Sequence, residues 1–134
     1  MPTSIVTYLG ALRTKCVHLK SNNSFITDAP TDNNGKGEAF SPTDTVATSL
    51  ASCMLTVMGI KARDMDVDLT ETTATVTKTM EANPRRISKI EVVFDIPVHL
   101  DDKSKKILEK TANTCPVHYS LHPDIQKDIT FNWK

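Results

Sequence analysis

Little in this sequence is aromatic. Its 134 residues hold one Trp, two Tyr and four Phe, too few rings for a base-stacking surface. Net charge is missing too. Sixteen basic side chains cancel sixteen acidic ones, so no electrostatic field gathers nucleic acid or another polyanion. Cysteine is scarce and odd in number, and three widely spaced thiols do not make the disulfide framework of a small secreted domain. The N-terminus, MPTSIVTYLGALRTK, lacks a basic segment followed by an apolar one, so no signal peptide is expected and the reducing cytoplasm is the expected location. A membrane-spanning helix needs about 20 predominantly apolar residues. The longest run without a charge, between Asp44 and Lys61, has 16 and includes Thr and Ser, so it reads as a buried core helix and no membrane partner is expected.

What is present is an ordered series of elements. The length predicts one domain, residues 1–134. Residues 4–8 and 12–20 read as strands around a turn at Gly10, and 24–28 as a third strand. Residues 29–40, APTDNNGKGEAF, are a loop by composition. Ser41, Pro42 and Asp44 then form a helix start: a cap, a proline suited to the first helical position, and an acidic residue three after the cap. That helix should run to about Arg63, apolar on nearly every side, with Gly59 permitting close approach of another backbone.

Residues 67–80 and 87–96 read as a strand pair joined through EANPRR, with Ile90, Val92, Phe94 and Ile96 on one face. Asp101 or Asp102 opens a second helix with Ile107, Leu108 and Ala112 inward; Pro116 interrupts it; PVHYSL is a short helical turn, and DITFNWK closes as a strand. Strands and helices do not alternate strictly, so the expected class is α+β. A chain this short has trouble covering a helix that is apolar all round, and an intertwined dimer would bury two such helices against each other.

Chemistry converges on two cysteines. Cys53 sits inside the apolar run SLASCMLTVMGI, and Cys115 begins CPVH at a helix break. A peroxide-reducing thiol needs a thiolate, access for a small peroxide, and a second thiol to trap the sulfenic acid. The plainer reading makes both cysteines small buried core residues, and the residues alone leave the two open. An apolar surrounding disfavours a thiolate unless a cation compensates. Arg13, on the parity of Val17 and Leu19, is the candidate cation, and Asp44 the carboxylate to orient it through a two-point pair. Asp44 and Cys53 are nine residues apart on one helix, about 13.5 Å along it and half a turn out of phase. They can share a site only through a partner subunit or an intermediary such as Arg13; Glu38 is a weaker substitute. Cys16, on the opposite parity from Arg13, reads as structural.

Other chemistries lack their parts. Cys115 and His118 have C-x-x-H spacing, one pair where a metal site needs about four ligands. GKG at 35–37 has neither the preceding strand nor the following Lys-Ser/Thr of a phosphate loop. No metal or cofactor is expected.

SPTDTVATSLASCMLTVMGI followed by TCPVHYSL resembles the osmotically inducible protein C and organic hydroperoxide resistance (OsmC/Ohr) superfamily over essentially the whole chain. The resemblance implies an α+β intertwined homodimer with antiparallel sheets around two long central helices. It implies thiol-dependent reduction of organic hydroperoxides, with Cys53 the peroxidatic thiol, Cys115 the resolving one, and Arg13 similar to the arginine that holds the thiolate. The hydroperoxide-resistance branch has Glu directly after its Asn-Pro; here Thr43 stands there, and Asp44 matches an acidic position of other branches. The reductant implied is an external dithiol, a lipoyl group among the options. Leu50, Met54 and Val57 would line an apolar site favouring alkyl hydroperoxides. The same thiol could instead detoxify other small electrophiles, or the cleft of the dimer could bind a small ligand without catalysis.

Overall fold

The computed structural model describes residues 1–134. Along the chain it contains β1 (Ser4–Gly10), β2 (Arg13–His18), β3 (Ser24–Asp28), α1 (Pro42–Asp64), β4 (Thr73–Glu81), β5 (Arg86–Ile96), α2 (Asp102–Ala112), α3 (Pro116–Ser120) and β6 (Gln126–Trp133). The chain divides into two compact units, Met1–Val46 and Ala47–Lys134, with α1 running unbroken across the division.

The first unit carries an antiparallel sheet in the order β1-β2-β3. The turn between β1 and β2 places both Ala11 (φ 53°) and Leu12 (φ 62°) in the left-handed region, as a two-residue primed hairpin turn demands. Neither is the Gly or Asn that adopts this conformation cheaply, so the turn carries strain next to Arg13. The sheet leaves large apolar side chains in water on both faces: Ile5 and Ile26 on one, Val6, Tyr8 and Phe25 on the other.

The first helix starts as expected. Ser41 Oγ accepts the Asp44 N–H at 3.1 Å, and the Asp44 carboxylate accepts the Ser41 N–H at 3.0 Å, a reciprocal capping box. It ends in a Schellman motif: Val67 N–H bonds the Ala62 carbonyl, Asp66 N–H bonds that of Arg63, and Asp66 takes the left-handed position (φ 57°). That cap, with the Asp68–Thr70 turn after it, delays β4 to Thr73, where alternation alone places its start near residue 67. Only one stripe of α1 is buried within the chain: Ala47, Leu50, Ala51, Met54, Met58 and Ala62. By length and composition this helix could also cross a membrane, yet that stripe joins the core. Gly59 faces open space, with nothing within 4 Å of where a Cβ would lie.

The second unit's sheet has the order β4-β5-β6, and it corrects the expectation of antiparallel sheets. β4 and β5 are antiparallel, but β6 lies parallel to β5, reached by the crossover through α2 and α3 that parallel strands require. Residue Ser88 is skipped in the pairing of β5 with β4, a bulge that switches parity, so Ile87 and Ile90 are both buried. Ile90, Val92, Phe94 and Ile96 form the inner face, and Phe94 stacks on Phe131 with centroids 5.2 Å apart. Leu108 and Ala112 of α2 complete the core, while Ile107 is half-buried. Trp133 Nε1 donates to Glu109 at 2.8 Å and ties β6 to α2.

Candidate functional site

The second unit brings two thiols together. Helix α1 carries Cys53, partly exposed, near its middle. Cys115 is the N-cap of α3, its conformation set by Pro116 at the first helical position, and it is wholly buried. Its sulfur accepts the His118 N–H at 3.3 Å. Burial pushes the Cys115 thiol up from its ordinary ionisation range; the His118 N–H works against that shift, and the neighbouring Cys53 thiol adds to it. Cys115 is therefore a protonated, water-excluded thiol at neutral pH. Cys53 is the one that a dissolved reagent reaches.

The first unit builds an arginine site that the sequence only half predicts. Arg13 opens β2, and Asp28, buried at 1 % exposure, closes β3 opposite it in register. Arg13 Nε donates to Asp28 Oδ1 at 2.7 Å and Nη2 to Oδ2 at 2.9 Å, a two-point pair. Nη2 also donates to Glu38 Oε1 at 2.9 Å. The Arg13 guanidinium holds the Asp28 carboxyl well below the usual carboxylate range, against the opposing effect of burial.

The loop before α1 is folded to serve this cluster. Glu38 N–H donates to Asp28 Oδ2 at 3.1 Å, Asp28 N–H to the Phe40 carbonyl, and Ala29 N–H to the Leu12 carbonyl. A Cβ on Gly35 would lie 1.7 Å from the Ala29 carbonyl oxygen, and Gly37 needs φ +63°. These two glycines let the loop turn back and set Glu38 beside Arg13.

Within the chain Arg13 pairs with Asp28 and Glu38, and Asp44 takes part in the capping box of α1. Leu50 and Met54 are fully buried in the core, so of the three residues assigned to an apolar lining only Val57 keeps exposed surface. Asp28 escaped the sequence reading because an acidic residue ending a strand before Ala-Pro looks like part of a polar loop. Cys16 does face away from Arg13, between Val6 and Phe25 in register. His118 Nδ1 is buried without a hydrogen-bond partner. Burial, with Lys127 nearby, pushes it below the ordinary histidine range.

The family model for OsmC-like protein matches residues 35–130, which include both Cys53 and Cys115 in the pattern described above. The chain belongs to the OsmC-like family. A solved structure from Psychrobacter arcticus 273-4, a candidate osmotic stress induced and detoxification response protein, is 60 % identical, with a TM-score of 0.96 over 98 % of this chain and 96 % of that one. An organic hydroperoxide resistance protein OsmC from Legionella pneumophila superposes with a TM-score of 0.76 at 16 % identity, covering 98 % of each chain. A candidate organic hydroperoxide resistance protein from Vibrio cholerae, solved with captopril in one of its active sites, does so at 0.75 and 18 % identity over 98 % of this chain and 92 % of that one. No curated protein matches the sequence. Within this OsmC-like chain, Arg13 and Asp28 precede the residues matched by the family model.

Proposed function

We propose that this OsmC-like protein is a homodimeric, thiol-dependent peroxidase that reduces organic hydroperoxides in the cytoplasm. The observation that carries the reading is a partly exposed Cys53 packed against the core cluster that holds the buried Cys115. The names of the hydroperoxide resistance proteins that share the fold support it. In the proposed cycle the Cys53 thiolate attacks the outer oxygen of ROOH. The O–O bond breaks, the alkoxide takes a proton and leaves as ROH, and Cys53 becomes a sulfenic acid. The Cys115 sulfur attacks that sulfur, water leaves, and a Cys53–Cys115 disulfide forms. An external dithiol, such as a dihydrolipoyl group, reduces it by exchange and is itself oxidised to the disulfide.

Arg13 supplies the cation for the thiolate. Its Nε and Nη2 are engaged with carboxylates, while Nη1 has no partner within the chain. Support for a second copy comes from the exposed apolar side chains of the first sheet and from the uncovered side of α1 around Ser52, Thr56, Gly59 and Ile60. An alkyl hydroperoxide is favoured over hydrogen peroxide, because each Å² of buried alkyl surface contributes roughly 25 cal/mol.

The test is turnover of cumene hydroperoxide with dihydrolipoamide. Wild type should consume it catalytically, Cys53→Ser should be inert, and Cys115→Ser should lose turnover after the first cycle. A Cys53→Ser protein that consumes peroxide at the wild-type rate refutes the reading. So does a wild type that leaves peroxide untouched while its Cys53 alkylates other electrophiles.

A further inference from the structure

We infer that His118 is the proton acceptor of the Cys115 thiol: its imidazole takes the S–H proton through Nδ1 as the Cys115 sulfur attacks the sulfur of Cys53. The inference deepens the proposed cycle and rests on its pairing of the two thiols.

Burial creates the need. Cys115 has no exposed surface, so bulk water does not collect the proton that its sulfur must lose to become a nucleophile. The base has to come from the protein. Around Cys115 and His118 the ionisable groups are the Cys53 thiol on α1, the Tyr119 ring on α3 and Lys127 on β6. The buried residues of α2 are Leu108 and Ala112, neither of them ionisable. Cys53 is consumed in the reaction. A phenol and an ammonium act as proton donors near neutral pH. The imidazole is left as the acceptor.

Its place in the fold suits the task. His118 is the third residue after the Cys115 cap of α3, and its backbone N–H donates to Cys115 Sγ at 3.3 Å. A side chain at this position tilts toward the start of its helix and, in a capping box, reaches back to the cap residue. Here that side chain ends in a base. Its Nδ1 is sealed from solvent and holds no hydrogen bond, while the residue as a whole is half-buried. An unpaired buried nitrogen is unfavourable, and the Cys115 proton supplies the missing partner. Burial, and then Lys127, keep the imidazole neutral and able to accept at neutral pH.

The step balances. Cys115 S–H gives its proton to Nδ1, its electron pair forms the S–S bond, and the S–O bond of the Cys53 sulfenic acid breaks. The leaving hydroxide takes the proton back from the imidazolium and departs as water, so His118 ends neutral.

The test needs no peroxide. In a Cys16→Ser background, one equivalent of dithiobis(nitrobenzoate) converts Cys53 to a mixed disulfide. Attack by Cys115 then releases the second thionitrobenzoate, read by absorbance against pH. A thiol that carries its own base reacts as the thiol–imidazole pair, so the wild-type rate should be level between about pH 7 and 8.5. His118→Gln, its folding checked by circular dichroism, should slow release about 100-fold at pH 7. Its rate should then climb about tenfold per pH unit, as attack by free thiolate demands. A wild-type rate that climbs in that way overturns the inference without any variant, and so does a folded His118→Gln protein with the wild-type profile. A wild type that releases no second thionitrobenzoate defeats the pairing of the thiols and the inference with it. A level profile, lost in His118→Gln, in a protein that leaves hydroperoxide untouched would instead defeat the peroxidase reading and keep the proton acceptor.

Discussion

Cys53 and Cys115 lie 62 positions apart in sequence and are neighbours in the fold, one partly open to solvent and the other buried. The asymmetry orders the chemistry. In the proposed cycle the accessible sulfur would react first, and the buried one would stay a protonated thiol until a sulfenic acid formed beside it.

A first consequence concerns labelling. At pH 8 and with limiting iodoacetamide, Cys53 should be modified well before Cys115, because the latter is both buried and held protonated. Peptide mass spectrometry over time checks this. Equal rates at the two sites would remove the distinction between them.

Alkaline stability should carry the signature of Cys115. Its thiol is raised in the folded state, so the unfolded chain ionises it first, above about pH 8.5. Stability is therefore full below that pH and falls as pH rises toward the folded-state value. Urea unfolding of wild type and Cys115→Ala between pH 8 and 10.5 should show the steeper decline in wild type.

The acid side should report His118. Its folded-state value is depressed, by burial first and Lys127 second, so its contribution is present above the unfolded value of about 6.5 and lost as pH falls through the folded one. His118→Phe should flatten the melting temperature between pH 7 and 5 relative to wild type. Because the His118 backbone caps Cys115, wild-type alkylation of Cys115 should also quicken across that interval once the extra effect of pH on the thiol is divided out.

Leu50 separates packing from substrate contact. It is fully buried, so Leu50→Ala should cost about 2–5 kcal/mol of stability, measured by urea unfolding. Val57 keeps exposed surface, so Val57→Ala should act on KM for cumene hydroperoxide with a smaller change in stability. A Leu50→Ala protein of normal stability but raised KM would return Leu50 to the site.

Much of this was legible beforehand because local signals agreed with the fold. Ser41-Pro42 marked the start of α1, and alternation marked Ile90, Val92, Phe94 and Ile96 as one buried face. Long-range pairing was not legible. Nothing local reveals that β6 runs parallel to β5, that skipping Ser88 turns Ile87 inward, or that Asp28 meets Arg13 across β2 and β3. Asp44, three residues after the Ser41 cap, closes the capping box of α1 as its position in the sequence predicts. Leu50 and Met54 were placed in a lining because they flank Cys53 in sequence; a helix turns by about 100° per residue, and their side faces the core.

The central claim is tested most directly by treating the reduced protein with one equivalent of cumene hydroperoxide and mapping the disulfide by peptide mass. A Cys53–Cys115 crosslink, absent in Cys53→Ser, is the expected product. A crosslink through Cys16, or Cys53 carried on to sulfinic acid with Cys115 still free, would contradict the account.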